Sequence, residues 1–148
     1  MQTFLPSPSF RVSAQCLDNK RLGKQRVECK QLLLALGVRV GDHVPRGGWR
    51  NHPATRMWRG HEFWLLAYAI CVCREWIRRG FKDSLLPQFR AAMASMPEQP
   101  KPSWLGWRRL HSSHRSNLLR KDEQFYRRFG WSEPVDHEYV WPEVVQHV

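Results

Sequence analysis

Residues 53 to 80 read PATRMWRGHEFWLLAYAICVCREWIRRG, and the placing of the apolar residues in this stretch decides the fold class. Met57, Trp64, Leu65, Tyr68, Val72 and Trp76 recur at helical spacing, and Pro53 sits where the first helical turn accepts a missing N–H. The run reads as one central helix from Pro53 to Gly80. Its middle, Phe63 to Cys73, is apolar nearly all round and must be packed on several sides. It has the length of a buried core helix and falls short of the roughly 20 apolar residues that cross a bilayer.

Upstream, Asp18 is a candidate N-cap for a helix ending at Leu36, with Gly37 just beyond it. At about 100° per residue, Leu22, Cys29, Leu33 and Leu36 fall within one sector of about 60° and face the core. Arg21, Gln25 and Glu28 flank that sector. Residues 1 to 12, with Pro6 and Pro8, read as an extended lead-in. Gly37 to Asn51 is a Gly/Pro-rich loop whose Arg39, Arg46 and Arg50 suit backbone phosphates. Downstream, Ser84 to Ala94 reads as a short helix, Pro97, Pro100 and Pro102 as a connector, and Leu110 to Phe129 as a last helical region. No strand pattern of useful length appears. The expectation is an all-α chain: a single compact domain of about three principal helices with long loops and no internal repeat.

The 148 residues include eight Trp and seven Phe and are 42% hydrophobic, which excludes intrinsic disorder. The first residues show no basic region followed by a long apolar one, so the expected setting is cytoplasmic. Cys16, Cys29, Cys71 and Cys73 form no CxxC pair and read as small buried hydrophobes. The formal charge is +11 and unevenly spread. From residue 129 onward there is an acidic tail, with Glu133, Asp136, Glu138 and Glu143 but no Lys or Arg, and the other 128 residues carry +15. Such concentrated positive charge is the footprint of a polyanion binder, with nucleic acid the leading partner. The tail is expected to fold back on the basic body.

Chemistry concentrates in the stretch CLDNKRLGKQRVEC, residues 16 to 29, where the carboxylate of Glu28 stands among cations on successive helical turns. Such a glutamate is either an ion-pair member or a catalytic acid/base. His111, His114 and Arg115 form HxxHR, but two His at i and i+3 without a third ligand do not make a metal site, so none is expected. His114, Arg115 and Asn117 read as contacts to phosphate or substrate, or as plain structure. Trp104 and Trp107, beside Arg108 and Arg109, are suited to stacking on bases or to the core. The sequence has no P-loop and no GxGxxG, which disfavours phosphoryl transfer and dinucleotide chemistry.

The blocks LGKQRVEC (residues 22–29), NHP (51–53), MWRG (57–60) and RRGF (78–81) resemble the pyrimidine-dimer DNA glycosylase family, the phage endonuclease V-like enzymes. The similarity covers roughly residues 1 to 85, and the last third is similar to a bacterial and phage branch of the same family. The resemblance implies a compact all-α enzyme that acts on damaged or modified pyrimidines in double-stranded DNA; separately, no cofactor is expected, and the chain is expected to be a monomer. An N-terminal α-amine attacks C1′ of the damaged nucleotide to form an imine, and a helix-one glutamate assists. The physical logic holds, because an α-amine has a pKa of about 7.7–8.0 and nearby cations enlarge its free-base fraction. The imine also permits β-elimination of the 3′ phosphate, so glycosylase and abasic-site lyase activities share one intermediate.

Carried onto this chain, the nucleophile is the amine of Met1, since bulky Gln2 blocks removal of the initiator methionine, and the acid/base is Glu28. Arg21 and Arg26 take phosphates beside the reacting sugar, with Lys20 and Lys24 next. His52 resembles a family position near DNA, with helix capping or a surface role as the other reading. Beside this carry-over, Arg56 and Arg59, one turn apart, reach phosphate or form a solvated face, and Arg46, Arg50, His114, Arg115 and Asn117 complete the expected DNA contacts. Two other functions fit the same residues: modification of a substituted pyrimidine without base excision, and DNA binding without catalysis.

Overall fold

The computed structural model describes residues 1–45 and 47–142, in which the chain forms seven α-helices. They are α1 (Phe10–Cys16), α2 (Asn19–Ala35), α3 (Pro53–Trp58), α4 (Glu62–Arg78), α5 (Leu86–Ala94), α6 (Arg108–Lys121) and α7 (Glu123–Tyr126), followed by a 3-10 turn, Arg127–Phe129. Arg46 and Glu143 lie outside the described residues. Among the described residues there is no strand, only an isolated bridge between Val40 and His43. None of the described helices is long and apolar enough to cross a membrane. The chain is all-α, and the expected three principal helices are corrected to seven shorter ones.

The correction has local causes. The helix expected from Pro53 to Gly80 is two, because Gly60 takes a left-handed backbone with φ +84° and α4 restarts at Glu62, whose carboxylate accepts from the Gly60 N–H at 3.1 Å. Apolar spacing runs through this break because Met57 and Trp58 of α3 enter the same core as Leu65, Leu66 and Tyr68 of α4. The lead-in is extended only as far as Ser9, whose hydroxyl accepts from the Val12 N–H at 3.2 Å and caps α1. With 7 residues, α1 is too short to display a period.

Helix α2 follows the sequence closely. Asp18 is its N-cap, with a backbone carbonyl that accepts from Leu22 N–H at 2.8 Å, while its carboxylate turns to Arg21 and to the Tyr126 hydroxyl. Leu22, Cys29 and Leu33 are fully buried, and Leu36 only partly. A Cβ at Gly23 would lie 2.8 Å from the Trp76 ring, so glycine lets α2 approach α4 closely. Trp104 belongs to this core: its ring meets that of Trp58 at 4.9 Å and its indole N–H donates to the Met57 carbonyl at 3.1 Å. Of the two reserved readings for Trp104, the structure selects packing.

Residues 2 to 5 are buried yet belong to no helix or sheet, so their backbone groups need side-chain partners. Gln25 on α2 supplies two, accepting from Phe4 N–H at 2.8 Å and donating to the Gln2 carbonyl at 2.8 Å. The Tyr68 hydroxyl on α4 donates to the Phe4 carbonyl at 2.6 Å, and Trp58 on α3 donates to the Thr3 hydroxyl at 2.9 Å. From α6, His114 Nδ1 accepts from Leu5 N–H at 2.8 Å, His111 Nδ1 donates to the Leu5 carbonyl at 2.8 Å, and Arg115 donates to the Pro6 carbonyl at 2.8 Å. Four helices thus clamp the extended N-terminal segment.

The clamp needs neutral histidines. Because His114 accepts at Nδ1, its proton sits on Nε2, whereas His111 accepts from Gly106 N–H at Nε2 and so carries its proton on Nδ1. Burial, and after it the neighbouring His111, pushes the His114 pKa down to about 3. An unfolded histidine protonates near pH 6.5, so below that pH the unfolded state binds more protons, and stability falls as the pH drops from about 6.5 toward about 3. Tm is therefore expected to decline between roughly pH 6.5 and 5.5, above the range where most carboxylates titrate, with His111, whose pKa burial also lowers, adding to the decline. His114→Gln should flatten this decline, and a Tm constant across the window would contradict the clamp.

Candidate active site

One face of α2 meets the clamped N-terminus. Lys20, Lys24 and Glu28 are spaced four apart and lie on one stripe of the helix, with Arg21 beside them. Together with Met1, Gln2 and Phe4 from the threaded segment, Lys121 at the end of α6, and Tyr139, they line a cavity of about 270 Å³. Glu28 is 8% exposed at this wall. Among the described residues its carboxylate forms no ion pair, whereas Asp18, Glu75, Asp83, Glu123 and Glu133 each pair with an arginine. The Gln2 side-chain N–H₂ is also buried at the cavity wall with no hydrogen-bond partner among the described residues.

Electrostatics in the cavity follow from burial and crowding. Burial, followed by the charges of Arg21, Arg120 and Lys24, lowers the Lys121 pKa, with Glu28 opposing. Burial pushes the Tyr139 phenol up to about 12, so it stays a hydrogen-bond donor at neutral pH. The site therefore combines a carboxylate without an ion-pair partner among the described residues, four cations and spare donors. It can hold an anion and move a proton beside a bound sugar.

The structure brings Met1, Glu28, Lys20, Arg21 and Lys24 together at this cavity and leaves Arg26 out. Arg26 points to the other side of α2, where its guanidinium pairs with Asp83 and lies 5.2 Å from the Trp76 ring. His52 caps α3 by accepting from Ala54 N–H at 3.0 Å, and burial, then the charge of the N-terminal amine, then Arg56, hold its pKa below the ordinary value. Arg56 and Arg59 line a separate hollow with His61 and Trp104, and Arg59 also donates to the Arg50 carbonyl at 3.1 Å.

His114, Arg115 and Asn117 are placed differently from the DNA contacts expected of them. His114 and Asn117 are fully buried, and Asn117 donates to the Ser113 and His137 carbonyls at 2.8 and 3.0 Å. Arg115 is taken up by Pro6 and by Glu133, with which it pairs at 2.8 Å. The HxxHR block thus builds the clamp and anchors residues 130–142, which run back along α6 through Ser112, Ser113, Ser116 and Asn117. That return carries Tyr139 to the cavity. Lys121 and Tyr139 had no local signal, since only packing brings residues so distant in sequence beside Glu28. Arg46, one of the expected DNA contacts, lies outside the described residues.

A search of the curated proteins and one of the solved structures found no match to this chain. A family model for pyrimidine dimer DNA glycosylase matches residues 1–86, which contain Met1, all of α2 with Glu28, and helices α3 and α4. The match spans more than half the chain, which therefore belongs to the pyrimidine dimer DNA glycosylase family, enzymes that act on DNA.

Proposed function

We propose that this chain is a DNA glycosylase and abasic-site lyase that excises damaged or modified pyrimidines from duplex DNA through an imine on the Met1 α-amine. The observation that carries this reading is the shared cavity of Met1 and Glu28, ringed by Lys20, Arg21, Lys24 and Lys121. The clamp on residues 2 to 6 holds the first residue at the wall and lowers the entropic cost of presenting its amine.

In this mechanism the cations take the phosphates that flank the extruded nucleotide, and the Gln2 amide donates to the substrate. The free amine attacks C1′ as the base leaves with the glycosidic electron pair and takes up a proton. The C1′–O4′ bond of the resulting aminal then opens, O4′ takes a proton and the C1′=N imine forms, with Glu28 accepting and returning these protons while its charge stabilises the cationic sugar. The imine then withdraws electrons, a proton is lost from C2′, and the 3′ phosphate departs by β-elimination. Arg50, His52, Arg56 and Arg59 extend the basic surface along the duplex. The protein acts as a cytoplasmic monomer without a cofactor.

Borohydride trapping tests the chemistry. The purified protein should cross-link to a duplex bearing an abasic site or a thymine dimer, not to an undamaged one, and lose the cross-link when its α-amine is blocked. Cross-linking that survives blocking and maps to Lys121 would move the nucleophile to that lysine. Tight binding without any cross-link would favour base modification without excision.

A further inference from the structure

The loop from Gly37 to His52 holds three arginines against one aspartate, and near its C-terminal end one tryptophan. Trp49 is 49% exposed and has φ +66°, alone among the described non-glycine residues in being left-handed. That backbone region disfavours a bulky side chain. Gly47 and Gly48 stand immediately before it and would adopt the conformation freely, yet the indole occupies the left-handed position. The turn is pinned by the Trp49 carbonyl, which accepts from His52 N–H at 3.1 Å.

The ring is the outer end of a run of aromatic contacts. Trp49 meets His52 edge-on at 5.5 Å, His52 meets Trp141 at 6.5 Å, and Trp141 meets Tyr139 at 5.7 Å. Tyr139 lines the cavity with Met1 and Glu28. Cations border the outer end: Arg50 follows Trp49 in the chain, Arg59 donates to the Arg50 carbonyl, and the charge of Arg56 acts on His52. By contrast Phe81, also exposed, is already stacked on Trp76 at 4.1 Å. An exposed indole set edge-on against His52 and beside cations, at the outer end of an aromatic run to the reactive cavity, has the chemistry of a nucleobase-stacking contact.

We propose that Trp49 is a base-stacking residue whose indole takes an unstacked nucleobase of a duplex opened at the target nucleotide. The proposal rests on the glycosylase reading above, because extruding a nucleotide leaves a neighbouring base without its stacking partner.

The test compares binding of the full chain to two duplexes, one intact and one carrying a tetrahydrofuran abasic analogue next to 2-aminopurine. The analogue resists the lyase step, so binding is read apart from turnover. Trp49→Ala is expected to lose about tenfold or more in affinity for the abasic duplex and about twofold or less for the intact one, together with the change in 2-aminopurine emission. Trp49→Phe should retain most of both, and each variant should melt like the parent because the ring lies outside the core. An equal loss on both duplexes, or no loss on either, would overturn the stacking role. If the parent protein traps an imine while Trp49→Ala binds both duplexes as the parent does, the stacking role alone fails. If the parent neither prefers the abasic duplex nor traps an imine, the glycosylase reading fails and takes this proposal with it.

Discussion

Glu28→Gln is expected to lower the single-turnover rate on a dimer-containing duplex by roughly 10²–10⁴-fold, the usual contribution of a positioned acid/base. DNA affinity should be retained or rise. The substitution keeps the side-chain volume at a wall where Glu28 is 8% exposed, so the cavity keeps its shape. It removes the proton acceptor and the negative charge that offsets the imine cation. Because the carboxylate pairs with no cation among the described residues, its loss leaves no broken ion pair to destabilise the fold. Around it Lys20, Arg21, Lys24 and Lys121 remain, and the net positive charge facing the phosphates grows by one. Rates and Kd values measured on the same preparation separate the two effects. A rate within threefold of the parent would remove Glu28 from the chemistry.

Arg26→Ala carries the second large effect, and it falls on stability rather than on DNA binding. The Arg26 side chain is 14% exposed and its partner Asp83 fully buried. Burial works against the Asp83 charge, but the Leu86 N–H, donating at 2.7 Å, and the Arg26 guanidinium outweigh it and hold the carboxyl below its ordinary range. Removing the arginine strands a buried charge, which typically costs about 3–5 kcal/mol, and frees the loop that joins α4 to α5. Urea melts should show this loss, and adding Asp83→Asn should recover part of it. Below the melting range the DNA affinity of the folded variant should match the parent's. A weakened DNA affinity at unchanged stability would return Arg26 to the phosphate contact that its place in the sequence implied.

Arg26 shows where reading along the chain runs out. On helix α2, the spacing of Leu22, Cys29 and Leu33 identified the buried face, and Glu28 stood out as a carboxylate among cations at its edge. These are local properties, carried by a period of 3.6 residues. The same period separates the cations, since Arg21 stands seven residues from Glu28 on its stripe and Arg26 about 160° away from it; what the period does not encode is the partner each one meets. Asp83 takes one, and the cavity takes the other.

Composition, charge and helical periodicity by themselves determined that the chain is all-α and basic, with an acidic tail, and short blocks within residues 1 to 85 pointed to its family. Those features depend on contacts a few residues apart or on sums over the chain. Tertiary structure alone decided that the Pro53–Gly80 run breaks at Gly60, and that His111, His114 and Arg115 hold the N-terminus rather than a substrate. It also decided that Lys121 and Tyr139 complete the cavity with Met1 and Glu28. The physical reason is that residues 2 to 6 have no helix or sheet to satisfy their backbone. Their partners come from Gln25, Tyr68 and α6, and no local pattern encodes pairings between residues about 20 to 110 positions apart.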